Sequence, residues 1–475
     1  MHYLASCLTV TPWYVGARRC EGPHNPLKGV SVTSGEGAGQ VLAARQDRLA
    51  GGGRPRIYLH IGEPKAGTTF LQEAMWRNRA RLAGQGIVLP GHYPEDHFRA
   101  CQDLRGIPKL ASDPAASWIG EWEILAGQAR RAPEVAVISH ELFAACDADQ
   151  ADRAVRSLLP AEVHIVLTVR DLGTLLPAEW QESVKNRNTL EWEKWLGGVI
   201  DIESVSASRR QWKFWKVHDT LAILDLWSRH IPPDQVHVVI LPQRGSPEAR
   251  LWERFASVIG VDAGCADLSL ARSNSALGVP ETEFLRRLNR AIPEEMPDWF
   301  YMRNIKEITR RTLGGRPHQG PLLLPPGRRG WAREQGEILV AGLRDAKFDI
   351  VGDFRELLPS PAAEPYLRPA DLPVDRLLDV AVEAAAGLAM GHYRRKFPPK
   401  RQRQGLGSPR QMASRLKWSI VTSPRIKHAL REASRISAVR YLRIIAWRVI
   451  ERPVHHRDRS GRGSAVAQHG PGADA

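Results

Sequence analysis

At 475 residues, 43% hydrophobic and 25% charged, the chain has the composition of a soluble globular protein and room for about three domains. No run approaches the roughly 18 apolar residues of a membrane span, and Cys7, Cys20, Cys101, Cys146 and Cys265, scattered and without a Cys-x-x-Cys pair, argue against a disulfide framework and a zinc site. The net charge of +15 is uneven: residues 391–475 hold 20 Lys+Arg against 4 Asp+Glu, or +16, leaving 47 against 48, or −1, for the first 390.

Residues 1–55 contain the Gly-rich, unpatterned stretches "SVTSGEGAGQ" and "LAGGGRPR" and are expected to form a disordered N-terminal extension. No basic segment followed by an apolar run opens the chain, so no secretory signal is expected, and a reducing cytoplasm is the expected compartment. From Arg56 the texture changes. "RIYLHIG", "GIVLP", "VAVISHE", "VHIVLTVRD" and "VHVVILP" read as short strands separated by stretches long enough for helices. Strands alternating with helical patterns predict a three-layer α/β/α fold around a central parallel sheet of about five strands. "TTFLQEAMWRNRARLAGQG" supplies the first helix, with Phe70, Leu71, Ala74 and Met75 at helical spacing and Gly84 and Gly86 to end it.

After about residue 266 the pattern turns helical, so extra helices are expected C-terminal to the sheet, within a domain spanning 56–360. Residues 361–393 read as a Pro-rich linker and one helix, and residues 394–475 as a basic tail, helical or disordered. In the tail "AVRYLRIIAWRVIERP" sets Arg440, Arg443, Glu451 and Arg452 opposite Leu442, Ile445, Val449 and Ile450. A basic amphipathic segment suits either an anionic membrane surface, which would make residues 391–475 a peripheral attachment to the inner face of the membrane, or simply disordered, solvated charge. Sparse aromatic interleaving and the lack of a nucleic-acid fold signature argue against nucleic acid as the partner.

The stretch that carries chemistry is "HIGEPKAGTTFLQ", residues 60–72, a strand, a turn and a helix start. Gly62 and Gly67 stand five apart, as in a Walker A loop, but Lys65 lies inside the turn and Thr68 follows the second glycine where a Walker lysine would sit. The loop still forms an anion hole. The amides of Gly67, Thr68 and Thr69 sit at a helix N-terminus, and Lys65 adds a full charge. The Lys-Ser/Thr pair that binds β/γ-phosphates with magnesium is missing, so a smaller anion held without metal is expected.

"PKAGTTFLQ" resembles the 5′-phosphosulfate loop of sulfotransferases that use 3′-phosphoadenosine 5′-phosphosulfate (PAPS), whose usual form is Pro-Lys-Thr-Gly-Thr-Thr-x-Leu-Gln; here Ala66 replaces a threonine. The resemblance assigns Gly62, Pro64, Lys65, Ala66, Gly67, Thr68 and Thr69 to the donor. A second element, "HIVLTVRDLGTLLPAEWQESVKNR" at 164–187, resembles the strand-end Arg-Asp that clamps the donor's 3′-phosphate together with a serine eight residues on. Arg170 fills the arginine position, Ala178 stands where the serine would be, and Ser183 or a backbone amide is expected to compensate. Over about residues 56–360 the chain is similar to a bacterial sulfotransferase family common in high-GC actinobacteria. The implied reaction moves a sulfuryl group from PAPS, with no metal, to a hydroxyl of a carbohydrate-containing acceptor or small metabolite.

That reaction needs stabilisation of the leaving phosphate, for which Lys65 is placed, and a base for the hydroxyl. "VAVISHELF" puts His140 and Glu141 at a strand's carboxyl end, and alternation should point one of them into the cleft. His97, in "GHYPEDHFRA", is a rival base. Trp180, Trp192, Trp195, Trp212 and Trp215 form a sequence cluster that suits either a sugar platform or a core. Two other readings remain: a degenerate P-loop module that binds a nucleotide or sulfated ligand without turnover, motivated by Ala66 and Ala178, and a P-loop kinase, for which Asp171 is the one suggestive magnesium-binding acid.

Overall fold

Runs such as "VAVIS" and "VHVVI" are apolar at nearly every position, which suits strands covered on both faces. The computed structural model describes residues 53–107, 118–201, 214–247, 249–270, 277–314, 316, 321–360 and 365–396. It forms one parallel sheet of six strands in the order β2-β3-β1-β4-β5-β6. These are β1 (Arg56–Gly62), β2 (Ile87–Val88), β3 (Val135–Ser139), β4 (Glu162–Val169), β5 (Val236–Ile240) and β6 (Asp349–Val351). The first five are the predicted strands. The expected sheet of about five strands gains a sixth, β6, three residues long and half-exposed, at the sheet edge beside His237, Val238 and Val239 of β5.

Helices cover both faces: α1 (Thr68–Arg77), α2 (Arg79–Gly84), α3 (Pro94–Leu104), α4 (Glu121–Ala129), α5 (Ala148–Leu158), α6 (Leu172–Lys185), α7 (Trp192–Ile200), α8 (Thr220–Ser228) and α9 (Ala249–Ile259). Ile57, Leu59 and Ile61 pack with Ala126, Val155 and Leu224 of α4, α5 and α8. The alternate residues Tyr58, Val137, Val166 and Val239 pack with Leu71 and Met75 of α1 and Trp252 and Phe255 of α9. This period of two, with helices on each side, makes the three layers. The single first helix expected from the sequence is two, broken at Asn78. Its amide nitrogen donates to the Ala74 and Asp267 carbonyls, at 2.9 and 3.1 Å, and its Oδ1 accepts from the Asp267 N–H at 2.8 Å.

C-terminal to β5 the chain adds α10 (Val279–Ala291), α11 (Glu307–Leu313), α12 (Arg329–Asp345) and α13 (Val374–Lys396). With α6 and α7 they enclose a further core containing Trp180, Trp192, Trp195, Leu285, Leu313 and Val380. Trp180 and Trp192 are 0% and 1% exposed and their rings lie 5.5 Å apart, while Trp215 donates its indole N–H to the Val199 carbonyl. These rings are core rather than a sugar platform, and Trp212 lies outside the described residues. The chain divides into units Met1–Lys396 and Phe397–Ala475; residues 1–52 and all of the second unit, including the basic segment after Lys396, lie outside the described residues. Among the described residues no helix is long and apolar enough to cross a membrane.

Gly336 inside α12 tests this packing. A methyl there would ordinarily gain about 0.5–1 kcal/mol of helix stability. Its Cβ, however, would lie 2.8 Å from the Leu357 carbonyl oxygen, a backbone atom that cannot swing aside. Overpacking costs about 1–3 kcal/mol, so Gly336→Ala is expected to lower the urea midpoint. A raised midpoint would contradict the close approach of α12 to residues 354–358.

Candidate functional site

The strand order places β1 between β3 and β4, with the chain running outward to either side. Loops leaving the carboxyl ends of strands around such a switch point converge on a crevice. Here they are residues 62–67 after β1, 140–141 after β3, and 170–171 after β4.

The loop after β1 is tight. Gly62 and Gly67 adopt φ of 122° and 82°, and Lys65, which has a side chain, adopts 60°, a left-handed conformation that costs a non-glycine residue stability and is often found at functional sites. A Cβ on Gly62 would fall 2.9 Å from the Glu141 carbonyl, so this glycine lets two of the three loops touch. Gly67 caps α1, and among the described residues no side chain caps that helix, so its first N–H groups are left without an intrahelical acceptor. Pro64, Ala66 and Thr68 are buried beneath the turn, and Thr69 is half-buried.

Arg170 joins the loop after β1 to the start of α6. Its Nη1 donates to the Lys65 carbonyl at 3.0 Å and its Nε to Thr174 Oγ1 at 2.8 Å. Burial, opposed by Asp171 and aided by Arg244 in the loop after β5, lowers the Arg170 pKa. Asp171 caps α6 by accepting from the Thr174 N–H and hydroxyl. Burial pushes its pKa up. Ser183, the expected substitute for a serine at 178, is not available: its hydroxyl donates to the Trp180 carbonyl at 2.7 Å and accepts from Asn188 at 2.9 Å. The hydroxyl that stands beside Arg170 is that of Thr174.

Lys65 Nζ lies 2.8 Å from Glu182 Oε2, with 28% and 23% of the two side chains exposed. Lys185 and Lys306 approach the same carboxylate at 3.4 and 3.1 Å, and Lys306 also donates to Asn186 Oδ1 at 2.7 Å. Burial would lower the Lys65 pKa, but Glu182, then Glu179 and Glu141, hold it above its ordinary value. Burial opposes ionisation of Glu182 as well, and Lys306, Lys65 and Lys185 outweigh it, keeping its carboxyl well below the usual carboxylate range. Lys185 itself is lowered by burial, with Glu182 opposing and the two neighbouring lysines adding. None of the α6 carboxylates was legible as a partner of the loop, because the contact depends on how α6 crosses it. The spacing of Glu179, Glu182 and Lys185 at every third residue is the signal that could have found them.

Of the three candidate bases, Glu141 alone keeps an accessible side chain, 27% exposed. Gln72, the glutamine of the donor-loop motif, donates to its Oε2 at 3.2 Å. Burial raises the Glu141 pKa, but His140, its own N–H, Gln72 and Lys65 together bring it below the ordinary value. His140 is buried and its Nδ1 accepts from the Leu142 N–H at 3.1 Å, capping a turn of 3₁₀ helix. That leaves Nε2 to carry the ring proton, so His140 has no lone pair for a substrate. His97 is likewise committed: Nδ1 accepts from the Ser139 N–H at 3.1 Å and Nε2–H donates to the Pro90 carbonyl at 2.9 Å. Both histidines serve structure. A third, His60 in β1, lies beneath the loop and takes the Ser139 hydroxyl on Nδ1 at 2.7 Å while Nε2 faces Thr168 Oγ1 at 3.3 Å.

No family model matches the chain, and no curated protein matches it. Among solved structures, a sulfotransferase from Alicyclobacillus acidocaldarius is similar at 17% identity with a TM-score of 0.30, over 50% of this chain and 94% of that one. A likeness at that level says nothing about the reaction.

Burial pushes His60 and His97 down from 6.5 to about 4. Above pH 6.5 both rings are neutral in either state and stability is complete. As pH falls from 6.5 towards 4, the unfolded chain takes up protons that the folded chain refuses, so stability declines, by about 2 kcal/mol per histidine at pH 5. Urea unfolding at pH 7 and pH 5 measures this; stabilities equal within error would contradict the two buried neutral rings.

Proposed function

We propose that the chain transfers a sulfuryl group from PAPS to a hydroxyl of a carbohydrate-containing acceptor or small metabolite. The observation that supports this reading is the bond from Arg170 to the Lys65 carbonyl, which brings together the loop and the strand-end arginine that the resemblance assigns to the donor.

Sulfuryl transfer, like phosphoryl transfer, runs in line through a loose transition state, with charge building on the leaving phosphate oxygen. Catalysis is then mostly positioning and electrostatics. Lys65 and the amides of Gly67, Thr68 and Thr69 are the groups to meet that charge; removing one such donor typically costs about 10²- to 10³-fold in rate. Lys65 is already fully ionised by its carboxylate neighbours, and Lys185 and Lys306 remain to hold Glu182 when Lys65 turns to the donor. Arg170, with Thr174 and Arg244 close by, supports the 3′-phosphate assignment despite Ala178. The loss of a threonine at Ala66 removes one side-chain donor and leaves the backbone donors in place. The hydroxyl's proton needs a carboxylate within electrostatic reach of Lys65, and Glu141 and Glu179 both qualify.

Hydrogen bonds to charged groups contribute about 1.5–3 kcal/mol. Lys65→Ala and Arg170→Ala are therefore each expected to weaken calorimetric binding of adenosine 3′,5′-bisphosphate by about 10- to 100-fold. Unchanged affinity in both variants, with the fold intact by circular dichroism, would remove the donor site. Tight bisphosphate binding without turnover of PAPS with any hydroxyl would instead favour the binding-module reading motivated by Ala66 and Ala178.

A further inference from the structure

A carboxylate, a histidine and a second carboxylate follow one another from the loop after β1 to α6, and the roles assigned above leave the first two, Glu63 and His218, unused. Glu63, inside the loop, is 1% exposed; its Oε1 accepts from the Thr220 hydroxyl and its Oε2 lies 3.7 Å from His218 Nδ1. His218, in the helical turn at residues 214–218, has a side chain that is 0% exposed, and its Nε2 lies 3.9 Å from Glu179 Oε2. Among the described residues neither ring nitrogen has a hydrogen-bond partner, and neither has Glu179 Oε2, although all three atoms are buried. Buried polar groups are nearly always paired, and each unmet one costs about 1–3 kcal/mol. Three in one line call for an explanation beyond packing.

The surroundings supply one. Glu179 lies one turn before Glu182 on α6, and it is the second carboxylate, after Glu182, that holds the Lys65 ammonium charged. Its side chain is 25% exposed, whereas Glu63 and His218 behind it are sealed. The groups facing His218 are Glu63 and Thr220 on one side, Glu179 with Lys65 and Glu182 beyond it on the other, and the Phe214 ring, 4.6 Å away.

We propose that Glu179 is the base that takes the acceptor hydroxyl's proton, and that His218, backed by Glu63, is the positioning residue that orients Glu179 and carries the proton onward. The assignment rests on the sulfuryl-transfer reading. In the step, the hydroxyl oxygen bonds to sulfur, and the bond from sulfur to the 5′-phosphate oxygen breaks with its electron pair remaining on that oxygen, beside Lys65. The hydroxyl proton goes to Glu179 and from there to His218 Nε2, while Nδ1–H turns towards Glu63. The distances of 3.7 and 3.9 Å are beyond hydrogen-bond reach, as catalytic contacts often are before substrate closes the site. Glu141 is the poorer base: Gln72 already donates to its Oε2, and its carboxyl is held below the ordinary value.

Release of adenosine 3′,5′-bisphosphate from PAPS, with water as the acceptor hydroxyl, tests the relay on the full-length protein beside calorimetric affinity for the bisphosphate. Glu179→Gln is expected to lower kcat by about 10²-fold or more, and His218→Asn by about 10-fold, with donor affinity unchanged. Glu179→Asp should recover part of the rate. Glu179→Gln cleaving at the wild-type rate would overturn the proposal, as would kcat and donor affinity falling together in both variants. Wild-type protein that binds the bisphosphate yet cleaves no PAPS above the buffer rate would overturn it too. Failure of the wild type to bind the bisphosphate removes the sulfuryl-transfer reading itself, and the relay with it.

Discussion

The crevice depends on one carboxylate. Glu182 receives Lys65 from the loop after β1, Lys185 from its own helix and Lys306 from the helical region beyond β5, and so fastens the sheet's central loop to the helices that cap it. Taking four charges partly out of water is costly, and the arrangement holds because each ammonium has the same anion within 3.4 Å. Two consequences follow for function. The loop lysine is kept protonated and aimed, and an arriving anion need only displace Glu182 from Lys65, since the other two lysines still neutralise it.

Around that carboxylate the three loops are joined by direct contacts. Arg170 holds the Lys65 carbonyl, Gly62 permits contact with the Glu141 carbonyl, and Gln72 reaches from α1 to Ser139 and Glu141. A binding constellation needs this kind of preorganisation, because small misplacements erode catalysis. The buried histidines His60, His97 and His140 belong to the same support: neutral rings that tie β1, β3 and the segments above them together.

Much of this was legible in the residues, and the reasons differ by element. Strands buried on both faces announce themselves as apolar runs, which is why β1, β3, β4 and β5 were readable and the three residues of β6 were not. The strand, turn and helix start of residues 60–72 were readable because the glycines, lysine and threonines that mark them stand within eight positions of one another. Partners brought together by helix packing leave no such trace. Glu182 and Lys306 are 124 residues apart, and His218 meets Glu63 across 155 positions of chain. Histidines at a strand's end looked like bases because chain position reports where a ring sits; it does not report which nitrogen the backbone has already taken. The tryptophans left two readings open, since a cluster rich in aromatic rings suits a sugar or a core, and burial decides for the core.

The central claim is that the crevice holds an adenosine bisphosphate through Lys65, the loop amides and Arg170, with no call on magnesium. Calorimetry of adenosine 3′,5′-bisphosphate against ATP, each with and without magnesium, tests it most directly. The account predicts bisphosphate binding that is indifferent to magnesium and that ATP cannot match. Binding of ATP alone, and only with magnesium, would contradict it and point to phosphoryl chemistry on the same scaffold.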